Sequence, residues 1–482
     1  MGAEAAPAAV RKGFEMTDLN LRGGTVVTAE ASFRADVAVR GGRIAAVGTT
    51  VPDDGIETLD VEGRLLMPGF IDAHTHMDMP FGGTITADDW DSGTAAAVAG
   101  GTTVLVDFAL QDIGAGLVDA IGTWQAKATG RTRIDYGLHV AVCDLNDAVK
   151  AEIPELNKHG VCTVKVFMAY KGTPLFTPDE GLLEIMQIAR ESGVMVMVHA
   201  ENGDAVAKLQ EQALARGDVD PIWHAHTRPE AVEAEATGRA IRLAEIADTV
   251  LGVVHVTCGG AADEIRRARD RGQVVHGETC PQYLVMTIDD LNKPEFEGAK
   301  YVCSPPLRDA SNHDQLWRAL ATGELVLVGS DHCAFDFAGQ KELGRGDFTK
   351  IPNGMPGVEE RAPILWTHGV RTGRISPETF VAVLSTNQAR VHGLLPRKGL
   401  IAPGADADIV VWDPELPLTI THANRHNAND YTPYEGQELV GAPERVYVRG
   451  TLAYIDGDVV AEPGSGEFLP RSLGARGAAA AA

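Results

Sequence analysis

The stretch GFIDAHTH, residues 69–76, decides the fold. It is a short apolar run whose reactive side chains gather at its end, the texture of a strand buried on both faces. Seven runs of the same kind follow in order: TTVLVDF, YGLHVAV, TVKVFMA, VMVMVHA, GVVHVTC, VVHGETCP and LVLVGSDH. Helical segments such as GLLEIMQIARESG and GRAIRLAEIA lie between them. Near-continuous apolar strands joined by helix-length connections imply a parallel sheet covered by helices. Eight such units over residues 69–395 fit a (β/α)8 TIM-like barrel, an α/β fold whose chemistry sits at the C-terminal ends of its strands.

Outward from this region the texture changes. NLRGGTVVTAE, FRADVAVRGGRIAAVG and IETLDVEGRLLMPG alternate apolar with polar residues and are broken by glycines. The same pattern returns in LIAPGADADIVVWDP, PERVYVRGTLAYIDG and VVAEP. Residues 17–68 and 396–465 are therefore expected to close on each other as a small β-sandwich domain. The Ala-rich leader 1–16 and the tail 466–482 are read as disordered, and Met16 is an alternative to Met1 as the natural start.

Composition narrows the function. A chain of 482 residues suits one large α/β domain with a smaller companion. Its net charge of −25 disfavours nucleic acid and anionic membranes, and favours small neutral or cationic partners. No apolar run approaches the roughly 20 residues of a membrane span, and the opening MGAEAAPAAVRKGFE, which lacks an uninterrupted apolar segment, is not expected to be a signal peptide. The cysteines (Cys143, Cys162, Cys258, Cys280, Cys303 and Cys333) show no paired framework. They read as free thiols of a cytoplasmic protein.

Reactive residues do cluster at the run ends. The first run ends in His74-Thr75-His76, the fifth reaches His199, the sixth carries His255, and the eighth reaches Asp331-His332. Alternate strand residues share a side, so His74 and His76 project together and can grip a divalent ion. A lone HxH also fits ordinary core use; the further histidines and the aspartate make the case. Lys165 lies at the same level in TVKVFMA. One reading lays it along the barrel wall with its amine reaching water or a carboxylate. In the other, burial and nearby cations leave the amine neutral, and it captures carbon dioxide as a carbamate able to bridge two metals.

Motifs spread along the chain carry a resemblance. GFIDAHTHMDMPFGGTITADD, TVKVFMAYKG, MVHAENGD, VVHVTC, HGETCPQYL, YVCSPPLRD, GSDHCAF, GRGDFTKIPNG and RKGLIAPGADADIV together resemble the dihydropyrimidinase/D-hydantoinase family of cyclic amidases, within the amidohydrolase superfamily. The resemblance implies a binuclear centre in which His74, His76 and Asp331 bind the more buried metal and His199 and His255 the more exposed one. Carboxylated Lys165 would bridge them. Zinc is the implied metal, and the nitrogen and oxygen donors also admit manganese or cobalt.

The same resemblance implies ring opening of 5,6-dihydropyrimidines or 5-substituted hydantoins to N-carbamoyl amino acids. Asp331 would carry the proton, Tyr170 would bind the carbonyl, and Ser304 and Asn353 would present mainly backbone groups to the ring. Met79, Phe81, Phe167 and the segment GTPLF (172–176) are candidates to sort the ring substituent, and Cys333 to line the pocket. His139, His224, His226, His276 and His313 are assigned structural or surface places, and His332 a supporting one. Ala334 stands where many relatives have proline. Allantoinase-like and dihydroorotase-like activities are the enzymatic alternatives, and a metal-free scaffold the non-enzymatic one. A homo-oligomer, tetrameric or dimeric, is also implied.

Overall fold

A computed structural model describes residues 18–473. Its centre is one sheet of eight parallel strands, which we label β1 (Phe70–Thr75), β2 (Thr102–Leu110), β3 (Asp135–Ala141), β4 (Thr163–Phe167), β5 (Met195–His199), β6 (Leu251–Val253), β7 (Val275–Thr279) and β8 (Leu325–Val328). Each strand pairs with the next in sequence, as right-handed βαβ crossovers require. The barrel is nearly closed: beyond β8 the chain returns to β1, where His76 N–H donates to His332 O at 2.9 Å. The residues of β1, β3, β5 and β7 are buried throughout, because helices cover one face and the packed barrel interior the other.

Local sequence accounts for the covering helices. Asp179–Ser192 buries Leu182, Ile185, Met186 and Ala189, a spacing that forms one apolar stripe. Each large residue on that stripe contributes roughly 1.5–3 kcal/mol by leaving water. Asp179 and Glu180 sit in the first turn and Arg190 in the last, complementing the helix dipole. Gly193 then ends the helix with φ +67°, which a side chain would resist.

Both ends of the chain build the second unit. One sheet runs 43–48, 36–40, 19–22, 57–60; the other runs 458–459, 451–455, 438–448, 409–419, 65–68, 25–27, 32–34. In the second sheet Leu65–Pro68 lies between strands from opposite ends of the sequence, pairing Val410 with Met67 and Trp412 with Leu65. Leu19, Leu21, Val37, Ile44, Ile409 and Val411 fill a common core between the layers. The fold is therefore a (β/α)8 barrel with a β-sandwich made by the two terminal segments.

One expectation is corrected. The segment from 466 is not a free tail as far as residue 473: Phe468 bridges Tyr136 of β3, and Leu469, Arg471 and Leu473 are buried. Arg471 donates to the carbonyls of His392 and Leu138 at the N-terminal end of the barrel. A buried guanidinium with carbonyl partners anchors the chain there. The leader 1–16, Met16 and residues 474–482 lie outside the described residues.

Candidate metal centre

At the C-terminal mouth of the barrel, His74 Nε2 and His76 Nε2 stand 3.3 Å and 3.2 Å from Asp331 Oδ1. A tetrahedral ion with bonds of about 2.1 Å keeps its donors about 3.4 Å apart, so this trio has metal-ligand spacing. Its electrostatics agree. Burial pushes the His74 imidazole well below its ordinary pKa, which leaves it neutral with a lone pair to share. Burial works against the Asp331 carboxylate, yet His74 and His76 hold it below the usual carboxylate range.

The neighbouring side chains come close to this trio. The ring of His255 is 5.3 Å from that of His74 and 4.6 Å from that of His199. Burial, with Lys165 second, holds His255 well below its ordinary pKa. Lys165 is 2 % exposed, and its amine lies 5.0 Å from the ring of Phe108 and 5.3 Å from that of Phe167. Burial lowers the pKa of this amine, with Asp331 and Glu278 pulling the other way. Among the described residues no carboxylate lies within 4.0 Å of it, so it is a buried amine without an ion-pair partner.

Several of these residues do not sit where the strand pattern predicts. β6 ends at Val253 and β8 at Val328, so His255 and Asp331 occupy the turns that follow. Both adopt left-handed backbone, φ +42° and +52°, and so does Tyr170 at +63°. Such conformations cost a non-glycine residue about 1–3 kcal/mol each and concentrate at functional sites. The bend re-aims each side chain into the mouth.

One small cavity, about 50 Å³, is lined by His74, His76, Lys165, His199, His255 and Asp331, together with Tyr170, Ser304, Asn353, Gly354 and Cys333. Met79, Phe81, Leu110, Phe167 and Leu175 complete its wall. Phe81, Leu110, Tyr170, Leu175 and Asn353 also line a wider vestibule of about 860 Å³. Burial raises the Tyr170 phenol well above its ordinary pKa, against the pull of hydrogen bonds with Ser304 and Asn353, so it remains a donor.

The other histidines fall elsewhere. His139 bonds Thr163 and Ala73 inside the barrel, and His313 meets Met286 O at 2.7 Å. His226 meets Trp223 edge-on, and His276 is buried in β7. His332 Nε2 is 3.0 Å from Asp88, while its Nδ1 accepts from Gly357 N–H and so turns away from the cavity.

The sequence reading missed the supports of the candidate ligands. Glu278 Oε1 is 2.6 Å from His74 Nδ1, and Glu201 Oε2 is 2.7 Å from His199 Nε2. These carboxylates fix which ring nitrogen faces inward, the usual task of an outer partner. Burial raises the pKa of Glu278, whereas His199 and Arg228 hold Glu201 below its ordinary value against burial. Arg228 lies 3.6 Å from Glu201 and also reaches His224, whose Nε2 meets Cys303 O at 2.9 Å and Ser304 Oγ at 3.1 Å. The available signal was position: Glu201 follows His199 by two residues, and Glu278 is a charged residue inside the seventh run.

Comparison with known proteins places the chain in a family. The Amidohydrolase family model matches residues 65–453. A D-hydantoinase of Geobacillus stearothermophilus is 49% identical over 459 residues, covering 95% of this chain and 97% of the relative. The chain belongs to the dihydropyrimidinase/D-hydantoinase family of amidohydrolases. This amidohydrolase is also 43% identical to the dihydropyrimidinase of Rattus norvegicus, with 94% of the chain and 88% of the relative covered. Among solved structures, a dihydropyrimidinase from Brevibacillus agri NCHU1002 superposes with a TM-score of 0.93 at 50% identity, covering 95% of this chain and 99% of that one.

Proposed function

We propose that this amidohydrolase opens the ring of 5,6-dihydropyrimidines and 5-substituted hydantoins by hydrolysing a cyclic amide, releasing N-carbamoyl amino acids. One observation carries the reading: a single cavity gathers the imidazoles, the carboxylate and the buried amine with a phenol and two loop backbones. Two divalent ions, zinc or else manganese or cobalt, held by His74, His76 and Asp331 and by His199 and His255, would polarise the scissile carbonyl and activate water. Lys165 would join both as a carbamate: its neutral amine bonds to the carbon of carbon dioxide and releases a proton to water. The lowered pKa of that amine supports this step.

The chain's own groups then divide the work. Asp331 takes the proton of the attacking water and delivers it to the ring nitrogen as the carbon–nitrogen bond breaks. Tyr170 donates its hydroxyl to the carbonyl oxygen as negative charge develops. Ser304 and Asn353 meet the planar ring with peptide groups, while Met79, Phe81, Phe167 and Cys333 face its substituent. The inner cavity takes the reacting edge, and the vestibule takes the arm.

Six free cysteines support a reducing, cytoplasmic setting, and no described helix is long and apolar enough to cross a membrane. A homo-oligomer, tetrameric or dimeric, is the assembly the family resemblance supports. The test is a panel assay of metal-loaded enzyme on dihydrouracil, hydantoin, 5-phenylhydantoin, allantoin and dihydroorotate. We expect turnover of the first three; inactivity on all three, or exclusive turnover of either of the others, overturns the reading.

A further inference from the structure

Lys341 is fully buried, and it is not one of the residues lining the candidate site. Its ammonium donates to three backbone carbonyls, Val302 O at 2.9 Å, Pro352 O at 2.7 Å and Gly354 O at 2.6 Å. Among the described residues no carboxylate comes within 4.0 Å, so its charge is met by carbonyl dipoles and, 5.7 Å away, by the ring of Phe335. Burial pulls its pKa down, while three carbonyl acceptors within hydrogen-bond distance call for the three-donor ammonium form. A buried cation without a counter-ion is costly, and three donors on one nitrogen match three acceptors.

The acceptors belong to two loops remote in sequence. Ser304 is two residues beyond Val302, and Asn353 lies between Pro352 and Gly354; Ser304, Asn353 and Gly354 all line the inner cavity. A trans peptide is planar, with its N–H opposed to its carbonyl, so holding one end aims the other. Lys341 on Pro352 O fixes the direction of Asn353 N–H. Gly354 N–H, bonded to Val302 O at 3.0 Å, fixes the carbonyl of Asn353. Lys341 on Gly354 O holds the peptide after it. Every peptide plane around Asn353 is thus set by this lysine or by the carbonyl it holds.

We infer that Lys341 is a positioning residue for substrate binding, clamping the loops at 302–304 and 352–354 so that their peptide groups present one fixed pattern to the planar ring. The inference rests on the proposed ring-opening activity and goes beyond it in assigning the origin of ring recognition.

The test compares the wild-type enzyme with Lys341→Met, which keeps length and loses all three donors, and Lys341→Gln, which keeps a donor on a shorter arm. Steady-state kinetics on dihydrouracil and metal content per chain are measured for each. Expected is a KM raised about tenfold or more in Lys341→Met, less in Lys341→Gln, with kcat within about threefold and metal content unchanged. A merely structural lysine would lower the amount of active enzyme and leave KM alone. Unchanged KM in both variants, a fall in kcat accompanied by metal loss, or failure of both variants to fold would each overturn the clamp. Absence of turnover by the wild type would overturn the ring-opening reading and the clamp with it. Wild-type turnover with unaltered variants overturns the clamp alone.

Discussion

At position 165 the side chain has a narrow chemical specification. The amine is buried among the rings of Phe108 and Phe167, close to His74 and His255, and lies on the strand that hydrogen-bonds to the one bearing His199. A guanidinium there would stay charged, because arginine does not lose its proton in proteins. Lys165→Ala and Lys165→Arg are therefore expected to lose bound metal and to lose more activity than the roughly 10–100-fold cost of removing an outer partner. Short carboxylic acids should restore part of the activity to the alanine variant and none to the arginine variant. Metal analysis with turnover checks this, and full activity of either variant without added acid would show that no carbamate is needed.

The same scale shows what the sequence concealed. Lys165 and the histidines were legible because charged or ligating residues interrupt apolar runs. Glu201, Glu278 and Lys341 were harder to read, since their importance lies in which atoms they face. Lys341 sits in an ordinary polar stretch, and only the return of two distant loops makes it a three-carbonyl centre.

Among the elements, the barrel was the most legible part, because eight apolar runs of strand length leave little choice of architecture. Ends of elements were less so. The sixth run continues apolar through Val254 and Val256, yet the strand stops at Val253, since the following turn bends at His255. The segment 466–473 was misread for the opposite reason: its sequence has no strand or helix periodicity, and its order comes from tertiary partners. Arg471 is 1 % exposed and holds the carbonyls of His392 and Leu138. Arg471→Met leaves these acceptors without their donor, at about 1–3 kcal/mol. Expected is a transition temperature lower by a few °C, read by a thermal scan, with kcat at 25 °C unchanged. An unshifted transition would show that the segment is not an anchor.

For the whole molecule, one contact between barrel and sandwich is a buried cluster of charges beside their shared apolar core. Lys398 is buried and meets Asp135 of β3 at 2.7 Å, Asp406 at 3.0 Å and Asp408 at 2.7 Å. Removing one partner of a buried ion pair costs about 3–5 kcal/mol, because the remaining charge keeps its desolvation penalty. Lys398→Met should therefore destabilise the protein by about that amount, more than Arg471→Met does. Urea unfolding followed by tryptophan fluorescence measures it, and equal stability of the two variants would count against the joint.

The interleaved sandwich sheet has a further consequence, for biosynthesis. The strand at 65–68 is flanked by 25–27, made earlier, and by 409–419, made only after the entire barrel has been translated. Until then one edge of an apolar strand stays open on the ribosome, and an open edge is a template for joining other chains. Pairings this remote in sequence also form slowly. Soluble yield of this protein should therefore depend on the pace of translation and on chaperone supply more than on the stability of the finished fold, since the sheet becomes complete only when its latest strands slide in beside its earliest ones.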